Sequence, residues 1–196
     1  MAPAASSTDA RTGTVLVGAS SWRVGDVVGA GECARVYAVD PIGDFGGNRR
    51  KKDAVKQASP TTTRWVAKVA ELPPSAVGRK RTAAARQQKR FADALAWERL
   101  VYDQVCARYP GAFARKADYG ESAGCRFLVL ERLGAPLSAA AASPVFAVDH
   151  AMVLAAIGRD VVDGLEKLHE NGWAYGDLKP ENVLLGGGDT EDTRAR

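Results

Sequence analysis

Cysteine is scarce in this sequence, and long apolar runs are absent. The three cysteines, Cys33, Cys106 and Cys125, are an odd number at no metal-ligand spacing. They predict reduced, buried thiols in an intracellular protein rather than a disulfide framework or a zinc site. No apolar stretch approaches the length of a membrane-spanning helix, so we expect no membrane partner. Residues 1–13 lack the apolar segment of a secretion signal, and we interpret them as a flexible leader.

The bulk composition predicts a folded domain. The chain has 196 residues, of which 46% are hydrophobic and 26% charged, enough apolar content for a core. Its net charge of +4 comes from two basic clusters, at residues 49–52 and between Arg79 and Arg90. Such clusters can direct nuclear entry or bind an acidic protein, nucleic acid or chromatin, although a solvated loop and a solvated helix face are the simpler interpretation. We therefore expect a location in the nucleus or the cytoplasm.

Hydrophobic patterning predicts an α+β arrangement of strands, one helix, two strands and then helices. Apolar and alternating segments predict strands at 14–17, 22–28, 35–39, 65–69 and 127–130. Helix formers between about 78 and 109 place four residues on one face: Phe91, Leu95, Tyr102 and Val105. A short helix or loop is expected at 138–143, and a second long helix from an N-cap at Asp149 to a stop at Asn171-Gly172. Its apolar face is expected to carry Leu154, Ile157, Val161, Leu165 and Leu168.

A glycine-containing turn lies between the second and third predicted strands. Residues 29–36 read Gly-Ala-Gly-Glu-Cys-Ala-Arg-Val. Glycines in such a turn let backbone N–H groups approach phosphate oxygens. Taken alone, the motif favours an ordinary hairpin turn, and the strand–turn–strand setting argues against a dinucleotide-binding fold.

A lysine and a glutamate occupy positions where charge is costly. Lys68 lies in the middle of an apolar strand, and Glu98 falls on the apolar face of the first helix. A carboxylate in that position needs a partner, and Lys68 is the candidate. A strand lysine paired with a helix glutamate is the ion pair that positions ATP phosphates in protein kinases. The alternatives are a lysine that extends to water and a glutamate at the rim of the stripe.

The most informative segment is residues 175–185, which read Tyr-Gly-Asp-Leu-Lys-Pro-Glu-Asn-Val-Leu-Leu. An aspartate with a lysine two residues later and an asparagine five residues later is typical of a kinase catalytic loop. There Asp177 would accept the proton of a substrate hydroxyl, Lys179 would contact the transferred phosphoryl group, and Asn182 would hold a metal ion. Asp44-Phe45-Gly46 spells the second kinase metal-binding motif, but it precedes Lys68. That motif must follow the catalytic loop, so we interpret this copy as a coincidence.

Together these residues resemble a eukaryotic protein kinase, and specifically the vaccinia-related kinase family of the casein kinase I group. The resemblance runs from about residue 13 to residue 185. It rests on Trp22-Arg23-Val24-Gly25, Val66-Ala67-Lys68-Val69, Glu98 with Tyr102, residues 126–134 and Gly176-Asp177. Ala34 in place of a loop glycine and Tyr175 in place of the usual histidine depart from the pattern.

The resemblance implies a two-lobed fold that binds ATP and Mg²⁺ and phosphorylates serine or threonine in a protein substrate. It assigns residues 14–130 to the N-lobe, 131–134 to the hinge and 135–185 to the start of the C-lobe, with 186–196 as a tail. The implied ATP-binding residues are Gly29, Gly31, Val36, Lys68, Glu98, Leu130, Glu131 and Leu133. The implied catalytic residues are Asp177 and Lys179, with Asn182 as the metal ligand. Gly176, where most kinases have arginine, implies activation without an arginine that reads a phosphorylated loop.

The same resemblance implies a second metal-binding aspartate and a helical lobe beyond Leu185. We therefore expect the 196 residues to be part of a kinase domain that is inactive alone. Two other functions remain open: a nucleotide-binding pseudokinase that engages partners, and a small-molecule phosphotransferase of the aminoglycoside or choline type. Lys179 and the paired glycines argue against the phosphotransferase.

Overall fold

The computed structural model describes residues 9–31, 34–43, 64–74, 82–140 and 150–186. Contacts divide the chain into two compact units, residues 1–99 with 116–131 and residues 100–115 with 132–196. The first unit contains the six strands that the structure describes and most of one long helix, and the second contains the later helices. The predicted α+β class is confirmed.

The first unit is built on one antiparallel sheet. Its strands are β1 (Val15–Val17), β2 (Ser21–Ala30), β3 (Arg35–Ile42), β4 (Trp65–Glu71), β5 (Lys116–Ser122) and β6 (Cys125–Glu131). They pair in the order β1-β2-β3-β4-β6-β5. The sequence predicted five of these strands, with β1 one residue too long and β2, β3, β4 and β6 too short. It did not locate β5, whose seven residues include glycine, serine, aspartate and glutamate and no β-branched side chain.

One face of the sheet forms the main core. Successive side chains on a strand point to opposite faces, so alternate residues enter this core. On β4 they are Trp65, Ala67 and Val69, while Lys68 points to the other face. Trp22 packs edge-to-face on Trp65 with ring centroids 5.9 Å apart. The remaining core members are Leu16, Val24, Tyr37, Val39, Cys125, Phe127 and Val129. Cys125 is buried and unoxidised and Cys106 is half-buried and unoxidised, while Cys33 lies outside the described residues.

A buried carboxylate joins the two edges of this sheet. Asp118 on β5 is 5% exposed, and its oxygens accept hydrogen bonds from Ala19 N at 3.1 Å, Ser20 N at 2.9 Å and Trp22 Nε1 at 2.8 Å. The donors belong to the turn between β1 and β2 and to β2 itself. A Cβ atom on Gly18 would lie 2.7 Å from Asp118 Oδ1, so the close approach requires glycine. Asp118 therefore ties the β5 edge to the β1 edge.

Residues 9–13 are attached to the first unit. Gly13 N donates to Val24 O at 2.7 Å, and the Arg11 guanidinium makes two 2.6 Å contacts with the Glu71 carboxylate. Asp9 accepts a 2.9 Å hydrogen bond from the hydroxyl of Tyr37. The segment that the sequence assigned to a flexible leader thus includes four residues with specific contacts, Asp9, Arg11, Thr12 and Gly13, and residues 1–8 lie outside the described residues.

Helix α1 (Ala83–Gln104) packs on the sheet through Ala85, Ala92 and Leu95. Thr82 caps its first turn, with Ala85 N 3.2 Å from the hydroxyl oxygen. A 3₁₀ turn (Cys106–Arg108) follows the helix. The predicted helix of about 78–109 is therefore shorter in the structure, and residues 75–81 lie outside the described part.

The second unit contains α2 (Leu137–Ala140) and α3 (His150–Glu170). Ala140 and Ile157 are buried together, with Leu137, Val153, Val161, Val183 and Leu185 packed against them. The predicted helix stop is confirmed: Gly172 has φ +79°, a conformation that favours glycine, and Trp173 N donates to Leu168 O at 3.0 Å. Asp149, the expected N-cap, lies outside the described residues. No helix in the described ranges is long and apolar enough to cross a membrane.

We predict that Asp118→Asn lowers the free energy of unfolding by about 2–3 kcal/mol, because one acceptor oxygen becomes a donor that faces buried N–H groups. Urea denaturation followed by circular dichroism measures the change. The matched control is Asp40→Asn on exposed β3 surface, which we expect to cost no more than about 0.5 kcal/mol. Equal stabilities for the two variants would contradict the role assigned to Asp118.

Candidate active site

The predicted ATP-binding residues of the first three long strands are neighbours in the sheet. Gly29 on β2 is paired with Val36 on β3, and Val36 is paired with Lys68 on β4. Side chains of directly opposed residues lie on the same face, so Val36 and Lys68 extend from the same side of the sheet. Gly31 N donates a 3.0 Å hydrogen bond to Ala34 O, and this bond joins the two ends of the turn between β2 and β3.

Lys68 and Glu98 form an ion pair. Lys68 Nζ lies 2.5 Å from Glu98 Oε1, and the two side chains are 36% and 33% exposed. Glu98 follows the buried Leu95 by three residues and therefore lies on the sheet-facing side of α1. Ion pairs of this exposure add only about 0–1 kcal/mol to stability. The main effect of the pair is to fix the position of the lysine ammonium group.

The predicted ATP-binding residues Leu130, Glu131 and Leu133 lie close together in the sequence. Leu130 is buried near the end of β6, Glu131 is the last residue of that strand, and Leu133 is half-buried in the segment before α2. Glu131 is also the register partner of Trp65. Their contacts with adenine stay a prediction.

Asp177, Lys179 and Asn182 form one cluster in the second unit. Asp177 Oδ2 lies 2.9 Å from Lys179 Nζ and accepts a 2.8 Å hydrogen bond from Asn182 Nδ2. The same amide nitrogen donates to the backbone oxygen of Asp177 at 2.8 Å, and Asn182 N donates to Lys179 O at 2.9 Å. The Asp177 side chain remains 69% exposed. The loop therefore presents a carboxylate and an ammonium group to solvent on a hydrogen-bonded turn.

Backbone pairing on the C-terminal side fixes this loop. Gly134 N donates to Leu185 O at 2.8 Å, Leu185 N to Ala135 O at 3.0 Å and Leu137 N to Val183 O at 2.8 Å. Val183 and Leu185 also pack against the buried pair of α2 and α3 residues. Residues 177–182 are thus anchored at one end by both hydrogen bonds and apolar contacts.

Neighbouring donors control the charge of the candidate base. The hydrogen bonds from Lys179 and then from Asn182 lower the pKa of Asp177 below the usual aspartate value of 3.8. Both donors stabilise the ionised form. Asp177 is therefore a carboxylate throughout the neutral pH range and can accept a proton or a hydrogen bond there.

Some sequence motifs lie outside the described residues, among them Asp44-Phe45-Gly46 and the basic segment 49–52. Within the described ranges, no group of three or more histidine, cysteine, aspartate and glutamate side chains could hold a metal ion. Asn182 has an amide oxygen, which is a hard ligand of the kind that Mg²⁺ prefers, and its role as a metal ligand stays a prediction.

The six-stranded sheet with α1, followed by α2, α3 and the loop, is the fold of a protein kinase N-lobe and part of its C-lobe. Among solved structures, the fold is similar to that of vaccinia related kinase 3, with a TM-score of 0.58 and 21% sequence identity. The match covers 89% of this chain and 47% of that kinase, so the chain spans about half its length. No protein-family model and no curated protein sequence matches the chain.

The sequence did not indicate two charged contacts. Buried Asp118 closes the sheet, and half-buried Arg126 donates from β6 to the backbone of α1 at Ala92. Both contacts join residues far apart in the sequence. Asp118 lies in a weak strand pattern and Arg126 lies near the start of a strand. Nothing in the sequence next to either residue indicates that its side chain is shielded from water.

We predict that Lys179→Met raises the pKa of Asp177, because it removes the donor that lowers this pKa most. Asn182→Ala should raise it by less. The carboxyl ¹³C chemical shift of Asp177, measured between pH 2 and 7, reports the titration of this group. Glu166→Gln, an exposed change on α3, is the control. An Asp177 pKa that does not change in Lys179→Met would show that the described cluster does not persist in solution.

Proposed function

We propose that this chain is part of an ATP-dependent protein kinase that transfers a phosphoryl group to serine or threonine hydroxyls of a protein substrate. The single observation that carries the proposal is the cluster of Asp177, Lys179 and Asn182 on one anchored loop. Each of the three has the functional group that phosphoryl transfer requires at this position: a base, a cation and an amide oxygen.

Asp177 is the group that would receive the substrate hydroxyl. Its lowered pKa makes it a weak base in the ground state, so its main contribution is to orient the hydroxyl and to accept its proton late in the transfer. Its exposure leaves room for a protein substrate to reach the carboxylate. An ionised aspartate needs no change of protonation to begin this role at neutral pH.

Lys179 would change partners during the reaction. In the structure its ammonium group neutralises Asp177 at 2.9 Å. A phosphoryl group placed beside Asp177 would offer the ammonium a second set of anionic oxygens. Charge-assisted hydrogen bonds to such oxygens are strong, and they strengthen as charge moves to the leaving group. Lys179 would therefore support both the position of the base and the transferred group.

The first unit would bind the nucleotide. Gly29 and Gly31 would contact phosphates through backbone N–H groups, Val36 would cover the nucleotide, and Lys68 would hold the phosphates while Glu98 fixes its ammonium group. Backbone groups near Glu131 and Leu133 would bind the adenine edge, and Leu130 would face the back of the pocket. Mg²⁺ would neutralise charge on the phosphates, with Asn182 as one of its ligands.

Activation is proposed to be independent of a phosphorylated loop. Gly176 precedes Asp177 where an arginine would otherwise read a phosphate, and an added Cβ at Gly176 would meet no atom within 4 Å. Packing of the described residues therefore does not explain the glycine.

We expect the 196-residue chain to bind ATP with Mg²⁺, and Lys68→Met to weaken this binding at least about tenfold, because the removed cation contacts the phosphates. Isothermal titration calorimetry measures the Kd. Lys89→Met removes an exposed cation paired with Asp93 on α1 and is the control. Lys68→Met binding as tightly as Lys89→Met would contradict the nucleotide assignment.

We expect Asp177→Asn to lower the rate of phosphoryl transfer by at least about 100-fold with little change in the Kd of ATP, because the lost carboxylate orients the attacking hydroxyl. Transfer of radiolabelled phosphate to a histone or acidic protein is measured with the whole protein, including any residues its gene encodes beyond Arg196. Phosphoamino-acid analysis then tests for serine and threonine. ATP binding without Asp177-dependent transfer would instead assign a nucleotide-binding module.

A further inference from the structure

The long helix α1 is attached to the sheet by a charged contact that does not involve the Lys68–Glu98 pair. Arg126 at the start of β6 donates from Nη1 to the backbone oxygen of Ala92 at 2.7 Å. Ala92 is buried in the middle of α1, and the Arg126 side chain is only 17% exposed. A guanidinium group thus contacts the helix backbone where water has little access.

The two attachment points lie on the same face of the sheet. Lys68 is paired with Leu128 and Ala70 with Arg126, so Lys68 and Arg126 are diagonal neighbours on β4 and β6. On the helix, Ala92 and Glu98 are six residues apart, about 9 Å along the axis. The buried Leu95 lies between them in the sequence. The helix is therefore held on both sides of its main apolar contact.

The guanidinium is itself held by acidic neighbours. Arg126 Nε and Nη2 donate to Glu121 Oε1 on β5 at 2.8 and 2.5 Å, and Nη1 lies 3.6 Å from Asp93 Oδ1 on α1. Asp93 also pairs with Lys89 one turn earlier. These contacts orient the donor toward Ala92 before any ligand binds.

We propose that Arg126 is a positioning residue that keeps Glu98 within reach of Lys68. The Lys68–Glu98 pair is one-third exposed and weak by itself, so it cannot fix a 22-residue helix alone. The Arg126 contact is more shielded and charge-assisted. Its acceptor is a backbone oxygen, which neither titrates nor changes rotamer. The proposal rests on the proposed function, because it concerns Lys68 and Glu98, the pair that would hold the ATP phosphates.

The consequence is that the ion pair is built into the ligand-free protein. A helix held by Arg126 places Glu98 at the sheet before ATP arrives, so ATP binding does not need to recruit the helix. Such preorganisation increases affinity because no ordering cost is added at binding.

The first test measures hydrogen exchange of the full chain without nucleotide. Arg126→Met keeps the apolar stem and removes the donors. We expect the amides of α1 between residues 88 and 98 to exchange about tenfold faster or more, with β2 and β3 unchanged. Arg126→Lys, which can donate one hydrogen bond, should restore part of the protection. Arg90→Met, which removes an exposed cation of the same helix outside this network, should leave the exchange unchanged.

The second test is a double-mutant cycle on the Kd of ATP. Arg126→Met should weaken ATP binding severalfold in the wild-type background and have little further effect in Glu98→Gln, because both changes act on the same pair. Equal effects in both backgrounds would mean that Arg126 does not act through Glu98.

The positioning role is overturned if Arg126→Met leaves the amide exchange of α1 unchanged, or if it raises exchange equally throughout the first unit. This holds whether or not the chain binds ATP. Failure of the wild-type chain to bind ATP overturns the proposed function, and the exchange result then decides alone whether Arg126 positions the helix.

Discussion

The buried carboxylate of Asp118 is the constraint on which the first unit depends. A sheet of six strands has two edges, and here the β5 edge offers its aspartate to donors on the β1–β2 side. Four donors, these three groups and Tyr119 N at 2.7 Å, compensate the cost of removing this charge from water. Closing the sheet in this way encloses the side chains of one face in a single core. The other face is then available for α1. Lys68 points to this second face because it alternates along β4 with the core residues Ala67 and Val69.

The two units use charge differently. In the first, Lys68, Glu98 and Arg126 are partly or largely shielded, and their positions are fixed by strand register and by a helix packed on the sheet. In the second, Asp177 and Lys179 are exposed and are held by a short turn whose end pairs with residues 134–137. The shielded pair is positioned before any substrate arrives. The exposed pair can exchange partners, as the proposed transfer of a phosphoryl group to a protein hydroxyl would require.

The sequence predicted most of the architecture where local patterns were strong. Alternation along β2 and β3, the apolar run of β6 and the glycine stop of α3 each have a period or a turn residue that identifies them. The Lys68–Glu98 contact could be anticipated because a carboxylate on an apolar helix face requires a partner. The roles of these residues in binding ATP remain predictions, as do those of Asp177, Lys179 and Asn182.

Other features could not be predicted because their causes are not local. β5 has few strand-forming residues and is stabilised by pairing with β6 and by the hydrogen bonds of Asp118. Nothing in the flanking sequence of Arg126 distinguishes it from a surface arginine, and its contact with Ala92 joins residues 34 positions apart. Residues 9–13 have the composition of a linker, and their contacts are with donors and acceptors that the sheet presents, such as the Tyr37 hydroxyl and the Glu71 carboxylate.

The contacts of residues 9–13 make this segment part of the first unit. Tyr37 is a core residue whose hydroxyl donates to Asp9, and the Glu71 carboxylate is neutralised by Arg11. A polypeptide that started at β1 would retain every strand but would leave a phenol and a carboxylate without these partners. Any shortened version intended for crystallisation or for fusion to another domain should therefore keep Asp9 and Arg11.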